Sequence, residues 1–174
     1  LNVDTATSLV LLLLLNGLGL PGRILPALIS DAYLGPFKTL IPLSVASGIL
    51  YLAWIRVDSL AGIFVMAVLF GIINGGVQAM AMAGLPFLTA DLSKVGTRSG
   101  MVLSIVSVAA LTGPPVAGAL IQAGAGSYLP MQIWTGCVMI AGACFVAAAR
   151  VANTRLLKRR RMDEVAVVEI MAQT

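Results

Sequence analysis

The sequence predicts an all-α integral membrane protein of about five transmembrane helices, and two observations carry that expectation. Of its 174 residues, 59% are hydrophobic and only 10% are charged, with a mean hydropathy of +1.01. A soluble domain is about half apolar and about a quarter charged, so seven acidic and eleven basic side chains cannot coat a water-soluble domain of this size. The apolar residues also fall in long blocks between short polar breaks, and each bilayer crossing needs roughly 20 to 25 residues.

The spacing places spans at about residues 7–30, 39–55, 60–90, 99–122 and 129–151, one transmembrane unit over 1–151, with a basic tail over 152–174. The first span ends at a turn running from Asp31 to Lys38, marked by Gly35-Pro36 and by charge. Arg56-Val57-Asp58-Ser59 ends the second. The third block is long enough to tilt or to project beyond the hydrocarbon, and the polar run Asp91 to Arg98 closes it. The fourth span holds Pro114-Pro115, and the glycine-rich stretch Ala123 to Tyr128 leads into the fifth.

Alternating the turns between the two sides gathers Lys38, Lys94, Arg98, Arg150, Arg155 and the run Lys158-Arg159-Arg160-Arg161 on one side and leaves Arg56 on the other. The positive-inside rule then puts the C-terminus in the cytoplasm of a cell whose plasma or vacuolar membrane holds the chain. Directly after a span, the Lys158 run reads as a topology signal rather than a contact for anionic lipid or nucleic acid. Histidine is absent, and Cys137 and Cys144 lie seven positions apart on one helix, about 10 Å along its axis, too far to bond. No metal ligand set and no nucleophile–base pair is legible, so neither an enzyme nor a cofactor is expected. The chain opens on Leu1-Asn2-Val3-Asp4 without an initiator Met or a basic flank, which reads as mid-protein.

One charge falls inside a span. Arg23 lies about 12 Å along the helix from Asp31, and an arginine facing lipid at that depth costs at least about 2.5 to 3.5 kcal/mol. It is therefore expected to face protein or a water-filled cavity, neutralised by a bound anion, by a part of the protein outside this sequence, or by Asp31 or Asp91 drawn inward. Asn16, Gly19, Arg23, Ala27 and Ser30 share one helical stripe. A structural arginine bonded to carbonyls freed by Pro21 and Pro26 is the competing reading. On the third span Gly71 and Gly75 form a G-x-x-x-G step suited to close helix packing, while Asn74 and Gln78 either bridge helices or bind a substrate oxygen. On the fourth, Thr112-Gly113-Pro114-Pro115 through Gly118 is expected to bend or unwind, with Gly113 and Gly118 making room for a neighbour, as a gating helix or a static kink. Ser44, Ser47 and Gly48 read as packing residues, and Gly136, Gly142 and Ala143 suit close contact on the fifth span.

Three stretches together resemble the C-terminal half, spans eight to twelve, of a major facilitator superfamily transporter of the fungal monocarboxylate-transporter-like branch. They are Asn16-Gly17 with Gly22-Arg23-Ile24-Leu25-Pro26 and Asp31; Ala90-Asp91-Leu92-Ser93 through Met101; and Leu111 to Leu120 with its Gly113-Pro114-Pro115 core. The resemblance implies alternating-access transport of a small organic anion, with or without a proton, and an N-terminal half that would explain the missing Met. It implies that Arg23 holds a carboxylate; beside it Asn16, Asn74 and Gln78 are expected as secondary contacts. Asp31 and Asp91 are expected to pair with Arg98 or with the N-terminus of the fourth span and latch the outward-open state, the alternative for Arg98 being a plain topology charge. The family's loop signature lacks its basic residue after Asp31. The acidic residue that assists proton coupling in animal relatives is here Gly19, so that coupling is not carried over. Two rivals stand beside this reading: a same-fold transporter of a neutral or cationic metabolite or vitamin, and a non-transporting five-span scaffold.

Overall fold

The computed structural model describes residues 4–87 and 92–173, with side chains described at 4–86, 93–152, 154 and 155. Among the described residues all regular structure is helical: α1 Thr5–Ile29, α2 Pro36–Ala53, α3 Leu60–Phe87, α4 Val95–Ala123 and α5 Leu129–Gln173. Each of the five is long and apolar enough to cross a membrane, α5 over its Leu129–Ala152 stretch.

Local chemistry sets the ends. The Asp4 carboxylate accepts the Thr5 N–H at 2.9 Å and starts α1. That helix does not stop at residue 30 but runs on through a π turn, Ser30–Leu34, until Gly35 at φ +74° breaks it. Pro36 then takes the first position of α2, where its missing N–H is no loss. The second helix therefore begins before residue 39, because the Gly-Pro pair is itself the junction. The Ser59 hydroxyl accepts the Gly62 N–H at 3.1 Å at the head of α3; α3 is described through Phe87, and the expected end of the third span at residue 90 lies outside the described residues.

The fourth span, expected to bend or unwind, does not unwind. α4 is one unbroken helix across Pro114 and Pro115. Each proline removes only its own N–H bond, whereas unwinding a turn in hydrocarbon would strand several more polar groups. Ser104, Ser107 and Thr112 turn their hydroxyls onto carbonyls of their own helix, at 2.8–3.0 Å.

α3 packs against both α1 and α2, and α5 packs on the far side of α2. Backbone proximity holds the first of these pairs together. A Cβ on Gly71 would sit 2.7 Å from the Leu15 carbonyl oxygen, and one on Gly75 only 2.6 Å from that of Gly19. The G-x-x-x-G step is thus a helix contact. Gly48 and Gly136 repeat the device between α2 and α5, each within 3.1–3.2 Å of the other's carbonyl oxygen if given a Cβ. Ala143 is buried in the same seam, whereas Gly142 faces open space, contrary to the expectation from its small size. Helix α4 has no buried residue, and Gly113 and Gly118, expected to receive a neighbour, meet nothing within 4 Å.

Among the core residues Met66, Phe70 and Met80 on α3 is one polar bond. The fully buried Ser47 hydroxyl donates to the Asn74 carbonyl oxygen at 2.7 Å, tying α2 to α3. Ser47→Ala leaves that amide oxygen without its donor and is expected to cost about 0.6 to 1.7 kcal/mol. Thermal unfolding in detergent reads it as a lowered midpoint. An unchanged midpoint would mean the bond contributes nothing.

Candidate functional site

Two amides of α3, one helical turn apart, take different partners. Asn74 turns toward α2, where it accepts from Ser47 and lies against the Tyr51 hydroxyl. Gln78 turns toward α1, where its Oε1 accepts from the Arg23 guanidinium, Nη2, at 2.9 Å. Both amides therefore bridge helices here.

The reach of Arg23 follows from the residue before it. Gly22 has no Cβ, and the space a Cβ would take is filled by the α3 backbone at Ile72. With the two helices that close, the arginine side chain can run along α3 as far as Gln78. Its partner is a neutral amide; among the described residues no carboxylate pairs with Arg23, and no backbone carbonyl accepts from it. The structural reading based on carbonyls freed near Pro21 and Pro26 does not describe this arrangement. Arg23 and Gln78 are both exposed. One guanidinium N–H is fixed by Gln78, so the remaining donors of the fork are held in a defined orientation toward whatever occupies that face.

Other residues expected in the site lie apart. Asn16 is exposed and bonds back to the Leu12 carbonyl of its own helix at 2.8 Å. Asp31 is exposed at the π turn and forms no ion pair among the described residues. Arg98 is exposed in the first turns of α4, and Gly113, Pro114, Pro115 and Gly118 are exposed further along the same helix. Asp91 lies outside the described residues.

An aromatic cavity escaped the sequence reading. Between α1, α2 and α3, a space of about 460 Å³ runs from Asn74 toward Ser8 and Trp54. The rings of Tyr51 and Phe70 stand 4.7 Å apart at 59°, and those of Trp54 and Phe70 5.3 Å apart at 53°, tilted geometries that aromatic pairs favour. No charged side chain lines it, so it suits a neutral, ring-bearing or aliphatic group. Tyr51 and Trp54 at i, i+3 near a span end were the available signal, but that pattern equally fits an interfacial aromatic belt.

Comparison with known proteins gives this geometry a family. An MFS-type transporter of Gibberella zeae is 38% identical over 148 residues, which are 85% of this chain and 33% of that protein. An MFS transporter of Aspergillus flavus is 36% identical over 157 residues, 90% of this chain and 35% of its own length. The aspyridones efflux protein of Emericella nidulans is 32% identical over 148 residues, 85% of this chain and 30% of that protein. No family model and no solved structure matches the chain. With five apolar helices and similarity to fungal MFS-type transporters over most of its length, the chain is a partial MFS transporter, spanning about a third of the length of these relatives.

Proposed function

We propose that the whole protein exports an organic metabolite bearing an acidic group, by alternating access, and that Arg23 grips that group while Gln78 holds the guanidinium in place. The observation that carries this reading is an arginine within a membrane-spanning helix whose hydrogen-bond partner is the neutral Gln78. Its charge is offset when a carboxylate arrives, and the contact is strengthened by low dielectric. The name of the aspyridones efflux protein supports export of a secondary metabolite ahead of uptake of a small monocarboxylate. The exposed apolar faces of α1 and α4, such as Leu13, Leu20, Ile105 and Leu111, meet lipid and the remaining spans, which supply the opposite wall of the path. The basic asymmetry of the turns supports a cytoplasmic C-terminus.

Inside-out vesicles carrying the intact transporter test both points. Uptake of a labelled acidic metabolite is expected to exceed that of its methyl ester by at least about tenfold, the worth of a charge-assisted hydrogen bond. In the same vesicles a C-terminal tag is expected to be open to added protease. A second reading is favoured by the uncharged aromatic cavity: a neutral cargo held beside Asn74, with Arg23 structural. Equal uptake of acid and ester would select it.

A further inference from the structure

At the end of the bundle where α2 begins and the membrane-crossing stretch of α5 finishes, a second crevice of about 350 Å³ opens between those helices. Ile41 of α2 and Ala147, Arg150, Val151, Thr154 and Arg155 of α5 line it. Its lining is part apolar and part cationic. Ile41, Ala147 and Val151 form an apolar wall. The apolar stretch of α5 ends at Ala152, so Arg150 lies in its last turn and Arg155 about one turn beyond. The two guanidiniums therefore bracket the level at which hydrocarbon gives way to headgroups.

Among the described residues no acidic side chain lines the crevice, and neither arginine forms an ion pair. The Thr154 hydroxyl is already committed to the Arg150 carbonyl at 2.9 Å, which leaves the arginines as the anion donors. Lys38, exposed in the first turn of α2 one turn before Ile41, adds a third cation at this end of the bundle. A soluble phosphate would satisfy the guanidiniums but leave the apolar wall bare. A phosphate carried on an acyl chain satisfies both.

We propose that this crevice binds an anionic glycerophospholipid, its headgroup between Arg150 and Arg155 and one acyl chain laid against Ile41, Ala147 and Val151. The lipid would bridge α2 and α5 at the end of the seam that Gly48 and Gly136 close further along.

The test is native mass spectrometry of the intact transporter in detergent, titrated with phosphatidylserine, phosphatidylcholine or inorganic phosphate. Phosphatidylserine is expected to bind more tightly than phosphatidylcholine. Loss of one basic contact near the surface is expected to weaken it about fivefold and loss of both about 25-fold, in R155Q and R150Q/R155Q respectively. R56Q, at the opposite end, is expected to leave the affinity unchanged. Because Arg155 is exposed and lies beyond the apolar stretch, R155Q reads the site even where the double variant fails to fold. Three results overturn the proposal: wild-type phosphatidylserine affinity in R155Q, equal affinity for the zwitterionic lipid, or displacement of bound phosphatidylserine by millimolar inorganic phosphate.

Discussion

Arg23→Gln in the intact transporter is expected to reduce export of an acidic cargo by about tenfold to a hundredfold, with the protein made and inserted at its normal level. The size follows from the contact removed, a charge-assisted hydrogen bond of about 1.5 to 3 kcal/mol, strengthened by its low-dielectric surroundings. Normal insertion follows from the same geometry. A cation whose described partner is the neutral Gln78 costs the bundle solvation energy, and glutamine removes that cost. Transport and stability therefore move in different directions, which a structural arginine would not allow. Arg23→Lys sharpens the test. Lysine keeps the charge but has no planar fork, so it cannot hold Gln78 and grip both oxygens of a carboxylate at once. Partial recovery in Lys and none in Gln is the signature of a carboxylate ligand, and labelled efflux at several cargo concentrations measures it. Undiminished export in Arg23→Gln would remove Arg23 from the path.

Legibility of this fold in sequence divides along physical lines. Spans were legible because the bilayer imposes a length and a composition that few other environments demand. The Gly35-Pro36 junction was legible because a positive φ and a missing N–H are properties of those two residues alone. G-x-x-x-G packing at Gly71 and Gly75 was legible for a similar reason, since the absence of a side chain is itself the contact. What required the fold was direction. Asn74 and Gln78 differ by one turn, and sequence left both open to bridging or to cargo. Only the positions of α1 and α2 on either side of α3 send one to Ser47 and the other to Arg23. The aromatic cavity was hidden for the same reason, because Tyr51, Trp54 and Phe70 come from two helices whose pairing no local pattern states. At Pro114-Pro115 the helix does not unwind, since hydrocarbon penalises an opened turn more than a helix is penalised by two missing bonds.

A large stability effect is expected where backbone meets backbone, as at Gly75. Its missing Cβ would stand 2.6 Å from the Gly19 carbonyl oxygen and 3.2 Å from the Gly19 Cα. Flexible side chains can turn away from such an intrusion, but a carbonyl in the middle of α1 cannot move without carrying its helix along. Gly75→Leu should therefore force α1 off α3, exceeding the usual overpacking cost of about 1 to 3 kcal/mol. Gly22, set against the Ile72 backbone, predicts the same for Gly22→Val. Gly113→Ala on α4 supplies the contrast, because nothing lies within 4 Å of its Cβ position and alanine improves a helix by about 0.5 to 1 kcal/mol. Size-exclusion profiles and melting midpoints of the intact transporter should thus separate two glycine substitutions of the same helix-favouring kind, Gly75→Leu aggregated or absent and Gly113→Ala at or above wild type. The milder Gly75→Ala links packing to transport. A small separation of α1 from α3 lengthens the span from Arg23 to Gln78 beyond hydrogen-bond reach, so export should fall in the protein that still folds. Wild-type melting and wild-type export in Gly75→Leu would show that the two helices are not held at this distance.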